Sequence, residues 1–201
     1  MHRDYVAKVF PGNIFAQRRQ VLDELPRRDY ARILEIGTGA GHYTTQIQAA
    51  FPHAEICGCD VSLRMLEQAQ RVANEHGWPW KLLHVEGEAT GLASKSFDLV
   101  TSYIVMHEVP AAITRAHMRE AFRLLRPGGD LLFTDVTRYA ALDRLGVFWA
   151  EYGAINGGEP FWRDAASLDL KQAAEAAGFV DVRSCGLAGR TYPWLVYGHK
   201  P

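Results

Sequence analysis

No run of apolar residues in this chain approaches the ~20 needed for a helix to cross a bilayer, so no membrane span is expected. Met1-His2-Arg3-Asp4-Tyr5 lacks the apolar core of a secretory signal. Cysteine is scarce: three residues, an odd number that offers no disulfide framework. Cys57 and Cys59 lie two apart in an expected strand, hence on one face, and no further ligands follow at zinc spacing. They read as buried, reduced thiols, with no metal and a cytoplasmic location as the default. Basic blocks are also missing: none exceeds pairs such as Arg18-Arg19 and Arg27-Arg28, and the formal net charge is -1. Proteins that grip phosphate backbones usually carry a basic stripe, so nucleic acid is not the expected partner. Repeats, low-complexity tracts and an interdomain linker are absent too, which leaves one domain over residues 1–201.

What is present is an alternation of strand-length apolar runs with helical patterns, the mark of stacked β-α units on a parallel sheet. The clearest strands are Arg32–Ile36, Glu55–Cys59, Lys81–Val85, Asp98–Tyr103 and Leu131–Thr134. Several are continuously apolar, as strands covered on both faces must be. Ser62 is placed to cap a helix with apolar positions Met65, Leu66, Ala69, Val72 and Ala73, ending near Gly77. Ala111–Arg126 makes the next, stopped by Pro127-Gly128-Gly129, and Leu168–Ala177 another, with Gly178 as its terminal glycine. Phe179–Leu187 and Tyr192–His199 then read as strands joined by a short turn at Ala188-Gly189-Arg190, which forces antiparallel pairing at one sheet edge. The segment 137–163 departs from this pattern. It is rich in aromatics (Tyr139, Phe148, Trp149, Tyr152, Phe161, Trp162) and leaves the C-terminal end of the fifth strand, where open α/β sheets bind ligands. It is expected to form a lid over a substrate pocket.

The strongest motif is Ile33-Leu34-Glu35-Ile36-Gly37-Thr38-Gly39-Ala40-Gly41: a strand, a glycine turn, then a helix from about His42. Glycines there let the backbone approach a ligand closely. Dinucleotide-binding domains place G-x-G-x-x-G at this point. Here the third glycine, Gly41, comes two after Gly39, and His42 stands where that pattern needs glycine. Glu35 is foreign to it as well, and as a buried carboxylate it calls for donors, which the N–H groups of the turn would supply. Asp60, nineteen residues after Gly41, ends the second strand, where an acid can accept both hydroxyls of a ribose. Gly87-Glu88-Ala89 follows the third strand, where a carboxylate can accept from an adenine amino group. Three acids at the ends of three successive strands are hard to read as stray surface charges.

Together these residues resemble the class I S-adenosylmethionine-dependent methyltransferases, and more narrowly the branch with ubiquinone/menaquinone-biosynthesis-type methyltransferase domains. Glu35 to Gly41 corresponds to that family's glycine motif, Asp60 to its ribose acid, and Gly87-Glu88-Ala89 to the usual Gly-Asp-Ala, with Glu in place of Asp. Ser96-Phe97-Asp98-Leu99-Val100 fits the fourth-strand motif and Leu124 to Gly129 the turn before the fifth. The resemblance implies an α/β, Rossmann-like three-layer sandwich, its seven-stranded, mostly parallel sheet ending in an antiparallel C-terminal hairpin. It implies S-adenosylmethionine as cofactor, released as S-adenosylhomocysteine, and a small-molecule methyl acceptor. Around the cofactor it places Glu35, Gly37, Thr38, Gly39, Gly41, Asp60, Val61, Met65, Gly87, Glu88, Ala89, Ser102 and Tyr103. Relatives often carry a longer N-terminal lid, whereas here residues 1–30 precede the first strand, with Tyr5, Phe10, Pro11 and Phe15 forming at most a small one.

Methyl transfer from a sulfonium needs positioning and a deprotonated acceptor. The fourth strand delivers His107 and Glu108 to the sheet edge where the methyl group belongs. His107 has the intrinsic pKa of a base near neutrality and is the candidate catalytic base or orienter. Glu108 would pair with it only where the chain bends, since strand neighbours point to opposite faces. Asp98 is expected to be structural, and Asp135 to face the substrate or to cap a helix. Two other readings stand beside this one: a methyltransferase-like domain that binds without catalysing, and an NAD(P)-dependent oxidoreductase, which His42 and Glu35 oppose.

Overall fold

The computed structural model describes residues 14–201. The small lid expected from Tyr5, Phe10 and Pro11 lies outside them. Helix α1 (Ile14–Asp23) leads into β1 (Arg32–Ile36), α2 (His42–Ala50), β2 (Glu55–Asp60), α3 (Leu63–His76), β3 (Lys81–His84) and β4 (Phe97–Tyr103). There follow α4 (Ala111–Leu124), β5 (Leu125–Asp135), α5 (Arg144–Gly157), α6 (Trp162–Ser167), α7 (Leu170–Ala177), β6 (Val180–Gly186) and β7 (Trp194–His199). The seven strands make one sheet in the order β3-β2-β1-β4-β5-β7-β6. β1 to β5 are parallel, and β7 inserts antiparallel between β5 and the edge strand β6. The terminal hairpin is therefore where the short turn requires it.

Strand periodicity sorts the core into two layers. Leu34, Ile36, Cys57, Cys59, Val100, Leu131 and Phe133 pack on one face with Met118, Ala121 and Leu124 of α4 and Ala173 and Ala174 of α7. Ile33, Ile56, Leu99, Tyr103 and Leu132 pack on the other with Val21, Leu22, Tyr43, Ile47 and Ala73 from α1, α2 and α3. The two cysteines thus share a face and are free thiols, as their spacing requires. No described helix is long and apolar enough to cross a membrane.

Element ends follow local chemistry. The Ser62 hydroxyl accepts from Met65 N at 3.4 Å and Gly77 closes α3 in the left-handed conformation. The α7 helix begins two residues later than its pattern suggests, because Asp169 caps it by accepting from Gln172 N at 2.9 Å. The fourth helix also stops short, at Leu124. Pro127-Gly128-Gly129 is not a free turn: it forms the irregular start of β5, which shifts register against β4 between Phe97 and Leu99. Asp98 is structural as expected, accepting from Ala31 N and Arg32 N at 2.7 and 2.9 Å and pairing with Arg126.

Candidate active site

The strand order reverses between β1 and β4, and at such a switch point the loops leaving the two strands diverge to form a crevice. The glycine loop leaves β1 there and folds back on β2: the N–H groups of Gly37 and Thr38 both donate to Cys59 O, at 2.8 and 3.0 Å. A Cβ on Gly58 would stand 2.2 Å from Thr38 Oγ1, so glycine in β2 is what lets the loop lie this close. Gly39 has φ of +54° and open space where a side chain would be, which leaves its backbone bare to a ligand. Its N–H donates to Asp60 Oδ2 at 2.8 Å, while Ser62 N donates to Oδ1 at 2.8 Å. Asp60 is thus aimed by the loop and by the start of α3, with lone pairs left over for hydroxyl groups. Beside it Val61 and Met65 are 67% and 48% exposed, apolar surface that a flat heterocycle would cover.

Glu35 differs from expectation. Its carboxylate takes no N–H from the glycine turn. It is buried and accepts from Thr44 Oγ1 of α2 at 2.6 Å. Burial pushes its pKa up to about 8, with the Thr44 hydrogen bond and the Arg18 charge pulling the other way. Gly87 is buried, Ala89 exposed, and Glu88 half-buried with its Oε2 3.2 Å from His117 Nε2 of α4, a partner that sequence reasoning missed. Burial holds the His117 pKa down despite that carboxylate. Ser102 is in the core. Tyr103 is 7% exposed and stacks on Tyr43 at 4.9 Å, its hydroxyl without a partner among the described residues.

On the far side of the crevice β4 ends at Tyr103 and the chain bends sharply. Ile104 takes φ of +60°, and Met106–Glu108 forms a single 3-10 turn. The bend is the condition under which His107 and Glu108 can face each other, and His107 Nε2 lies 3.6 Å from Glu108 Oε1. The principal partner of His107 is another acid. Asp135, at the end of β5, receives N–H groups from Met106 at 2.5 Å, His107 at 3.3 Å and Val136 at 2.6 Å, and its Oδ1 is 2.9 Å from His107 Nδ1. It therefore both caps the turn and fixes the ring. Burial disfavours the charged imidazole, but Asp135 and the two glutamates more than offset this and raise the His107 pKa. The second glutamate, Glu159, lies 3.7 Å from Nε2 and belongs to the aromatic segment 137–163. Trp162 from the same segment packs its ring against His107, centroids 5.6 Å apart. Trp162 belongs to the aromatic set expected in the lid segment, though not against His107, and Glu159 was not singled out from the sequence.

A glycine loop, a ribose-type acid and a second acid at the ends of β1, β2 and β3 define a nucleoside-binding Rossmann-like domain. Residues 33–129 match the methyltransferase domain family, covering the glycine loop, all three acids and the His107 turn. A malonyl-[acyl-carrier protein] O-methyltransferase of Methylococcus capsulatus is 33% identical over 156 residues, covering 76% of this chain and 53% of that protein. A demethylmenaquinone methyltransferase of Beutenbergia cavernae is 30% identical over 142 residues, covering 70% and 52%. The structure of Haemonchus contortus phosphoethanolamine N-methyltransferase 2 with S-adenosyl-L-methionine superposes with a TM-score of 0.70 at 20% identity, over 92% of this chain and 52% of that one. The chain belongs to the class I S-adenosylmethionine-dependent methyltransferases. It spans about half the length of these curated relatives.

Proposed function

We propose that residues 1–201 act as one domain that binds S-adenosylmethionine in the crevice between the glycine loop and Asp60 and methylates a small molecule held beside His107. The observation that carries this reading is the Gly39–Asp60 contact at the switch point, with bare backbone on one side and exposed Val61 and Met65 on the other. Asp60 receives the ribose hydroxyls, Glu88 the adenine amino group, and Val61 and Met65 cover the base. When bound, the cofactor supplies a methyl group already activated on its sulfonium. The chain's own residues orient the acceptor and take up its proton or a hydrogen bond from it, the part assigned to His107 with its ring set by Asp135. Glu108 and Glu159 border the same space, and segment 137–163 walls it. The relatives' names specify acceptors as different as a malonyl-[acyl-carrier protein] and demethylmenaquinone, so the acceptor is set by that wall rather than by the shared motifs.

Calorimetry with S-adenosylhomocysteine, followed by turnover of labelled cofactor against a metabolite panel, tests the reading. Tight product binding with methylated acceptor is the expected result. Binding with no transfer to any acceptor would leave a ligand-binding domain, and absence of binding would remove the assignment.

A further inference from the structure

His107 is only 5% exposed, yet half of its imidazole has no hydrogen-bond partner among the described residues. The Asp135 carboxylate already accepts three backbone N–H groups, which can only donate, so towards the ring it is an acceptor as well. Nδ1 therefore carries a hydrogen, and in the neutral ring Nε2 presents a lone pair. That lone pair is aimed between Glu108 Oε1 at 3.6 Å and Glu159 Oε2 at 3.7 Å. Both separations exceed hydrogen-bonding distance. No Lys or Arg among the described residues pairs with either glutamate. The three ligand atoms all lie within 4.8 Å of one another. Two atoms each ~2.1 Å from a common ion, at ~120° to one another, stand about 3.6 Å apart, which matches the two distances from Nε2.

We infer that His107, Glu108 and Glu159 hold a divalent first-row transition-metal ion at the acceptor side of the crevice. One imidazole nitrogen with two carboxylate oxygens is a donor set for Mn²⁺, Fe²⁺ or Zn²⁺. A carboxylate on the far nitrogen, here Asp135, is the support that metal-bound histidines commonly have. Three protein ligands leave coordination positions open for an oxygen of the acceptor. Glu108 is mostly exposed and closes on the ion by a side-chain rotation. Glu159 comes from the segment that walls the pocket, so the ion ties that wall to the end of β4. With the ion in place Nε2 is no longer a proton acceptor, and His107 orients the acceptor through the metal. The expectation of no metal rests on the cysteines, and this set contains none. The purpose of the site depends on the proposed acceptor crevice; the site itself depends only on these three side chains.

The test is Mn²⁺ added alone to the full chain after chelator treatment, read as loss of the free-ion electron paramagnetic resonance signal. One ion per chain is expected, with affinity reduced at least tenfold in Glu159→Gln and in Glu108→Gln, and about 10–100-fold in Asp135→Asn. Glu151→Gln, on α5 and paired with Arg163, keeps wild-type affinity. Circular dichroism confirms the fold of each variant. No saturable binding, or one-site binding unchanged in folded Glu159→Gln and Glu108→Gln, overturns the proposal. Calorimetry with S-adenosylhomocysteine on the same metal-free sample separates the failures: product binding without Mn²⁺ binding removes only the ion, and the reverse removes only the cofactor assignment.

Discussion

At the scale of single residues, Asp60 and Glu35 show how two acids at neighbouring strand ends reach opposite fates. Asp60 is half-buried, and its oxygens are held by two backbone N–H groups at the crevice edge. Asp60→Ala should weaken S-adenosylhomocysteine binding by ~1–3 kcal/mol, the worth of hydrogen bonds to a charged group, measured by calorimetry. Unchanged affinity in a folded variant would mean the ribose contact is elsewhere. Glu35 is buried, and among the described residues the Thr44 hydrogen bond and the Arg18 charge favour its charged form while Asp60 opposes it. Its folded pKa of about 8 lies above the ordinary value of 4.5, so folding takes up a proton between those limits. Stability from this group is complete below about pH 4.5 and is lost as pH rises through 8. Glu35→Gln removes the titration, so its advantage over wild type should grow from pH 5 to pH 8, to roughly 1–3 kcal/mol, and then level off. Parallel melting curves across that range would contradict the burial argument. The glycine loop and Asp60 are legible in sequence because a strand end and a tight turn leave a local pattern. The Asp135–His107 and Glu88–His117 pairs are not, since their partners stand 28 and 29 residues apart and only the strand order brings them together.

At the scale of elements, the segment after β5 is the least like the rest. Helix α5 begins at an Asp143 cap and ends at Gly158, and between them Leu145, Phe148, Trp149, Tyr152 and Ile155 are all more than half exposed. Phe148, Trp149 and Tyr152 pack mainly on each other. A helix with so little buried surface is drawn from the low-stability end of the fold. Hydrogen exchange should therefore be faster over 144–157 than over β4 and β5, and should slow when cofactor product and acceptor are bound. Equal protection with and without ligands would count against a lid. The helix is not what its aromatics alone announce: their order marks a surface waiting to be covered, which the alternation of a core helix does not give. Glu159 and Trp162 meet His107 because α5 ends at the left-handed Gly158 and α6 packs on the Met106–Glu108 turn. No periodicity carries that information. The placement of His107 just past the end of β4 was legible, and its role is what substitution tests. His107→Ala should slow the single-turnover step by roughly 10²–10⁴-fold with product affinity retained, and His107→Gln should recover part of the rate if orientation dominates.

At the scale of the whole molecule, the end of the sheet opposite the crevice is closed by one buried carboxylate. Asp130, 1% exposed where the regular pairing of β5 with β4 begins, accepts from Arg27 Nε at 3.1 Å, Tyr30 Oη at 2.7 Å and Tyr197 Oη at 2.7 Å, and lies 3.0 Å from His199 Nδ1. These donors come from the lead-in to β1 and from β7, so a single side chain joins the first parallel strand to the antiparallel hairpin. Burial alone would raise the Asp130 pKa, but the hydrogen bonds from His199 and the two tyrosines, with the Arg27 charge, bring it below the ordinary carboxylate value. Replacing the carboxylate removes the partner of Arg27 Nε and of two tyrosine hydroxyls at once, and breaking such a buried set costs about 3–5 kcal/mol. Tyr30→Phe removes one donor and leaves the acid three, so it should cost only about 1 kcal/mol. In urea, Asp130→Ala should lower the midpoint in proportion with the slope unchanged, as for loss of native contacts in a cooperative unit. The two effects should also fail to add in the double variant, because both delete the same hydrogen bond. Since the knot lies at the other end of the strands from Gly39 and Asp60, S-adenosylhomocysteine affinity in the folded fraction should not change. A loss of affinity in Tyr30→Phe would show instead that the two ends of the sheet are coupled through β5, whose far end carries Asp135.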